Sequence, residues 1–154
     1  DITKLSTTPV QWFGGQSASA TINVNVLAPI DTWRQTQFGT TSNTGIYADN
    51  ADKDNDGLLN LLEYACATNP NIPNGAPYSA ARNGSNLEYT YSKNKSATDV
   101  AYTVEWSDSL GNDWSTVGVS SIILTDNGTT QQIKTTLPAG VNGRRFVRLR
   151  ITKP

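Results

Sequence analysis

Asp52-Lys53-Asp54-Asn55-Asp56-Gly57-Leu58-Leu59-Asn60-Leu61-Leu62-Glu63 is the stretch on which the reading of this chain turns. Carboxylates fall at its positions 1, 3 and 5 (Asp52, Asp54, Asp56), a glycine at 6 (Gly57), an amide at 9 (Asn60) and a glutamate at 12 (Glu63). Alternate residues of a tightly curled loop point inward, so the three aspartates converge. Gly57 supplies backbone angles that a sharp turn needs and other residues avoid. Leu58, Leu61, Leu62 and Ala65 then recur at helical spacing. The loop therefore runs into a helix, about Leu59 to Ala67, which Asn69-Pro70 stops.

This is the spacing of an EF-hand loop. A hard divalent cation takes about six to eight oxygens, and a short loop has to wrap around it to supply them. The candidate ligands are Asp52, Asp54 and Asp56, the carbonyl of Leu58, Asn60 directly or through water, and both oxygens of Glu63. The competing reading is a polar turn, since Asp, Asn and Gly are ordinary turn residues. It leaves four carboxylates in twelve residues repelling one another with no cation. Ca2+ is favoured over magnesium, which prefers a smaller octahedral shell that keeps its waters. Sensor loops usually work in pairs, and this chain has one. A fixed structural clip is expected rather than a switch.

Composition narrows the function classes. The chain has 154 residues and a formal net charge of −1, so no bulk attraction to nucleic acid is implied. No apolar run approaches the roughly 20 residues of a membrane span. With no histidine, Ser-His-Asp and Cys-His catalysis and histidine-ligated zinc are ruled out. Outside the loop the glutamates are Glu88 and Glu105, both on predicted strands, so no catalysis is expected from a carboxylate pair. Cys66 stands alone, can form no internal disulfide, and reads as a small buried hydrophobe. A calcium staple in place of disulfides, with abundant Thr, Ser, Asn and Gly, points to a secreted or cell-surface protein. The lack of methionine reads as a processed chain or a fragment, and a monomer is expected.

The chain divides into four segments. Residues 1–29 read as the tail of an upstream immunoglobulin-like domain or a linker strand. Ile22, Val24 and Val26 alternate there with polar residues, and that strand could instead pair with the sheet further on. Residues 30–70 form the helix–calcium loop–helix segment. Asp31 or Thr32 would cap a first helix from Trp33 to Phe38, closed by Gly39, with Trp33 and Phe38 set to pack on the later helix. Residues 71–85 read as a connection. From 86 to 154 the period changes to two: Leu87, Tyr89 and Tyr91, then Tyr102, Val104 and Trp106, alternate with polar neighbours. Further strands are expected at about 116–120, 122–125, 131–136 and 145–152. The fold expected is mainly β, an antiparallel immunoglobulin-like β-sandwich preceded by a short two-helix EF-hand-like calcium segment.

The runs Asp31-Thr32-Trp33-Arg34, Ala51 through Ala65, Thr68-Asn69-Pro70, Tyr102 through Leu110, Trp114 and Phe146 through Arg150 carry a resemblance. Together they resemble the calcium-binding C-terminal module of large secreted planctomycete and verrucomicrobial proteins. The calcium segment alone is also similar to thrombospondin type 3 and dockerin-type repeats. The resemblance implies a non-catalytic accessory module of a multidomain enzyme that degrades polysaccharides or proteins. A dockerin proper would need a second calcium segment. Polysaccharide attachment is the leading expectation, on the flat faces of Trp12, Trp106 and Trp114. Arg148 and Arg150, outward on the last strand, would grip uronate or sulfate groups. The alternatives place the tryptophans in the core and pair the arginines with Glu105 or Glu88. The task is then a structural cap, spacer or sorting element, or dockerin-like partner binding.

Overall fold

The computed structural model describes residue 22, residues 24–140 and residues 144–153. The fold is mainly β, with antiparallel sheets and two short helices. Helix α1 spans Pro29–Phe38 and starts four residues before the expected Trp33. The reason is Pro29, which sits in the first turn, where its missing N–H has no partner to lose and its φ is already helical. Asp31 is therefore inside the helix and pairs with Arg34 instead of capping. Gly39 closes α1 in the left-handed region, at φ 72°. After a single 3-10 turn at Gly45–Tyr47 comes α2, Asn60–Cys66. Its leading amides are met by the chain just upstream: Asn60 N–H donates to the Ala51 carbonyl at 2.8 Å, and Leu61 N–H to that of Asp49 at 3.1 Å.

Among the described residues six strands come after the helices: β1 Tyr78–Asn83, β2 Asn86–Asn94, β3 Ala101–Ser107, β4 Ser120–Asp126, β5 Thr130–Pro138 and β6 Phe146–Thr152. One sheet has the order β1-β2-β5-β4, and β3 pairs with β6 in the other. The segment read as a connection, 71–85, holds β1. Tyr78-Ser79-Ala80-Ala81-Arg82-Asn83 shows no apolar alternation because every residue of this edge strand is exposed. A tight hairpin pairs it with β2 through the backbone, closing Asn83 on Asn86. The strand expected at 116–120 is a crossing between the sheets: Ser115 bridges to Trp106, Val119 packs on the core, and β4 begins at Ser120.

The two sheets share one core. Tyr89 and Tyr91 from β2 and Ile133 from β5 meet Val104 from β3, with Tyr102, Val147 and Leu149 packed around them. Alternation along β2, β3 and β5 puts these residues on one face, and each such buried side chain contributes about 1.5–3 kcal/mol. Ser107 departs from the expected pattern. It is fully buried because its hydroxyl donates to Asp113 at 2.5 Å and accepts from the Leu110 amide at 2.8 Å, tying the turn after β3. A second cluster joins the helices to the β2–β3 connection through Ile30, Tyr64 and Ala97, flanked by Trp33.

Trp12 lies outside the described residues. Ile22, Val24 and Val26 belong to no strand and stand 69 %, 72 % and 82 % exposed. Among the described residues, no helix is long and apolar enough to cross a membrane.

Candidate metal centre

The loop gathers Asp52, Asp54 and Asp56 so that one carboxylate oxygen from each lies within 4.8 Å of the others. Its own backbone holds them there. The Asp52 carboxylate accepts from the amides of Asn55 (2.7 Å), Asp56 (3.2 Å) and Gly57 (2.9 Å). Asp56 accepts from Leu58 N–H at 2.8 Å and from Asn74 N–H at 2.7 Å, which draws the 69–74 turn onto the loop. This curl requires left-handed backbone at Asn55 (φ 63°) and Gly57 (φ 92°). Asparagine and glycine are the residues that tolerate it.

Three oxygens in this segment are buried without any hydrogen-bond partner: Asp54 Oδ2, Asn60 Oδ1 and Glu63 Oε2. Buried acceptors of this kind are costly unless something meets them. Asn60 is oriented by its amide nitrogen, which donates to the carbonyls of Ile46 (3.0 Å) and Ala48 (2.8 Å), leaving its oxygen free. Glu63 is fully buried in α2 and outside the 4.8 Å triad, yet it feels the triad's charge. Burial, then repulsion from Asp54, Asp56 and Asp52, pushes its carboxyl up to about 7. The donor set is oxygen only, which suits a hard cation such as calcium or magnesium. The chemistry of the residues present thus fits a cation. Asp52, Asp54 and Asp56, with the Leu58 carbonyl, Asn60 and Glu63, would hold it, and the bound ion would supply the positive charge the four carboxylates lack.

The segment is fastened to the sheets by pairings that reach across the chain. Asp99 accepts from the Tyr64 hydroxyl at 2.5 Å and from the Ile30 amide at 3.0 Å, so it fixes both helices. Arg34, 2 % exposed, pairs with Asp31 at 2.7 Å and with Asp49, which also takes Lys153 at 2.9 Å. Burial raises the Asp49 carboxyl, but Lys153 and Arg34 outweigh it and hold the group below its usual value. Tyr102 from β3 donates to the Ala65 carbonyl at 2.8 Å, and Asn94 from β2 to that of Tyr64 at 2.8 Å. Apart from Asp31 and Arg34, three positions apart on α1, these partners are distant in sequence, so no local spacing announces them. Trp33 packs on Tyr64 of α2 with ring centroids 5.4 Å apart, and Phe38 packs on Trp33 at 5.3 Å. Cys66 is buried, and burial pushes its thiol up to about 12. An open groove of about 400 Å³ beside the loop is floored by Leu59, Leu61 and Leu62 and by Leu149 and Ile151 of β6.

The aromatic and arginine candidates fall at two places. The Arg145 guanidinium stacks 3.6 Å from the Trp106 ring, while the indole N–H donates to the Val117 carbonyl at 2.9 Å. Arg145 itself is held by both oxygens of Asp108, at 2.9 Å each. Trp106 is thus a structural partner at the end of β3. On the outer face of β3 and β6, Arg148 stacks 3.8 Å from Trp114 and pairs with Glu105 at 2.7 Å, and Arg150 approaches the same carboxylate at 3.6 Å. Glu88 pairs with Lys134 on the other sheet. No protein-family model, curated protein or solved structure matches the chain.

Proposed function

We propose that this chain is a non-catalytic accessory module of a secreted multidomain protein, clipped into shape by one calcium ion. The observation that carries the reading is the set of buried, partnerless oxygens on Asp54, Asn60 and Glu63 around a triad of aspartates. Calcium binding there would tie an EF-hand-like helix–loop–helix to an immunoglobulin-like pair of sheets, since α2, Asp99 and Tyr102 link the two. A lone loop bolted to a β core by buried hydrogen bonds behaves as a clip. Extracellular calcium would keep it loaded, in keeping with the resemblance to modules that follow immunoglobulin-like or catalytic domains. The lack of histidine supports the non-catalytic part of the reading. Calorimetric titration with calcium and with magnesium tests it. Stoichiometric calcium binding accompanied by a rise in melting temperature is expected; no heat and no shift with either ion would end the proposal.

A second reading, attachment to an acidic or sulfated polysaccharide, draws on the outer face of β3 and β6. Trp114 is half-buried there beside the exposed Arg148 and Arg150, and Glu105 is the carboxylate that faces both arginines. A panel of neutral, uronate and sulfated polysaccharides, in calcium, tests this reading. Binding lost in an R148A/R150A variant supports it; a blank panel leaves the spacer role.

A further inference from the structure

Among the described residues, strand β3 has β6 on one edge and, on the other, one bridge in which Trp106 and Ser115 exchange two backbone hydrogen bonds of 2.9 Å. In a strand the N–H and C=O of alternate residues point to the same edge. The backbone groups of Tyr102 and Val104 therefore face the edge used by Trp106, and beyond Ser115 no described strand reaches them. Val104 is only 7 % exposed, where unpaired backbone is costly. The chain passes from Ser115 on this edge to Ser120 at the start of β4, so the open edge lies on the β4 side of the smaller sheet. There the larger sheet is left bare. Ile123 pairs with the buried Ile133 and shares its face, yet is 56 % exposed. On the other side, α2 and β6 line a common groove through Leu61, Leu62, Leu149 and Ile151.

An unpartnered strand pattern ends at the same place. Ile22, Val24 and Val26 alternate, each mostly exposed, and lead into α1, whose Ile30 amide is held by Asp99. Asp99 precedes the start of β3 by two residues. A stretch running toward that point is antiparallel to β3, which leaves from it. Val26 lies four positions before Ile30, a reach of up to about 13 Å.

We propose that Val24 to Val26 add to the open edge of β3 as an antiparallel third strand, stopping short of Trp106, whose backbone is already bonded to Ser115. Val26 lies opposite Tyr102 and Val24 opposite Val104, and the apolar side chains turn inward over Ile123. Parity agrees: residues opposite one another in a hydrogen-bonded pair share a face, and Tyr102 and Val104 face the core. The inference does not depend on the metal.

Amide hydrogen exchange of the full chain, read by NMR, tests it. The amides of Val24, Val26, Tyr102 and Val104 should exchange at least about tenfold more slowly than those of open loops. In a V24D/V26D variant, Tyr102 and Val104 should lose that protection while Thr103 and Glu105, bonded to β6, keep theirs. Fast exchange at Tyr102 and Val104 in the parent chain, or protection unchanged in the variant, overturns the proposal. Should the variant fail to fold, a V24C/I123C chain decides. Oxidation within the monomer supports the pairing, and a cross-link formed only between copies, or none, refutes it.

Discussion

Glu63→Gln should stabilise the metal-free protein and abolish most of its calcium response. Glu63 is fully buried, and burial together with three nearby aspartates lifts its carboxyl from 4.5 to about 7. At 1.36 kcal/mol per unit, keeping it ionised in the folded chain costs about 3 kcal/mol. The folded form holds this proton more tightly than the unfolded form does. The penalty is therefore absent below pH 4.5, grows as pH rises, and is complete above about 7. Glutamine keeps the shape and carries no charge. In chelator at pH 8 the variant should melt higher than the parent, by on the order of 10 °C. At pH 4.5 the two should melt together. Calcium at a hundredfold excess over its Kd should add about 2.7 kcal/mol to the parent and little to the variant, which has lost a charged ligand. Differential scanning calorimetry at both pH values, with calcium and with chelator, reads all four states. A variant that melts below the parent in chelator at pH 8, or that keeps the full calcium response, would refute the reasoning.

The remaining predictions concern single side chains. Asp54→Ala should lower the melting temperature in calcium and change it far less in chelator; equal losses under both conditions would show that Asp54 acts without a metal. Tyr64→Phe removes the 2.5 Å hydrogen bond to Asp99 and should cost about 1.5–3 kcal/mol by urea denaturation, an effect that should persist in chelator. Arg34→Met strands Asp49 in a half-buried site and should cost about 3–5 kcal/mol, with Lys153 offsetting part of it. Cys66 should resist a thiol reagent in the folded protein at pH 8 and react on unfolding, since burial keeps it a protonated thiol.

The acidic loop was legible because its information is local. Consecutive residues carry both the carboxylates and the backbone permissions at Asn55 and Gly57, and the structure curls them so that Asp52, Asp54 and Asp56 converge. Core strands β2 and β5 were legible for a similar reason, since period-two alternation records which face is buried, while in β3 the buried Ser107 breaks it. Strand β1 was not, because an exposed edge strand has no buried face to leave a pattern. The start of α1 was obscured by Pro29, which reads as a linker residue until its place in the first turn is known.

The sequence by itself thus determined the oxygen-rich chemistry of the loop and the mainly β character of the chain beyond it. Pairings across the chain belong to the tertiary structure. Asp99 joins two helices, Lys153 reaches Asp49 across 104 positions, and Arg145 and Arg148 settle on the faces of Trp106 and Trp114. The physical reason is that a carboxylate or an indole face has many equivalent partners along a chain. Only the packing of the two sheets and the helices brings one of them within hydrogen-bonding or stacking distance and removes the water that would otherwise compete.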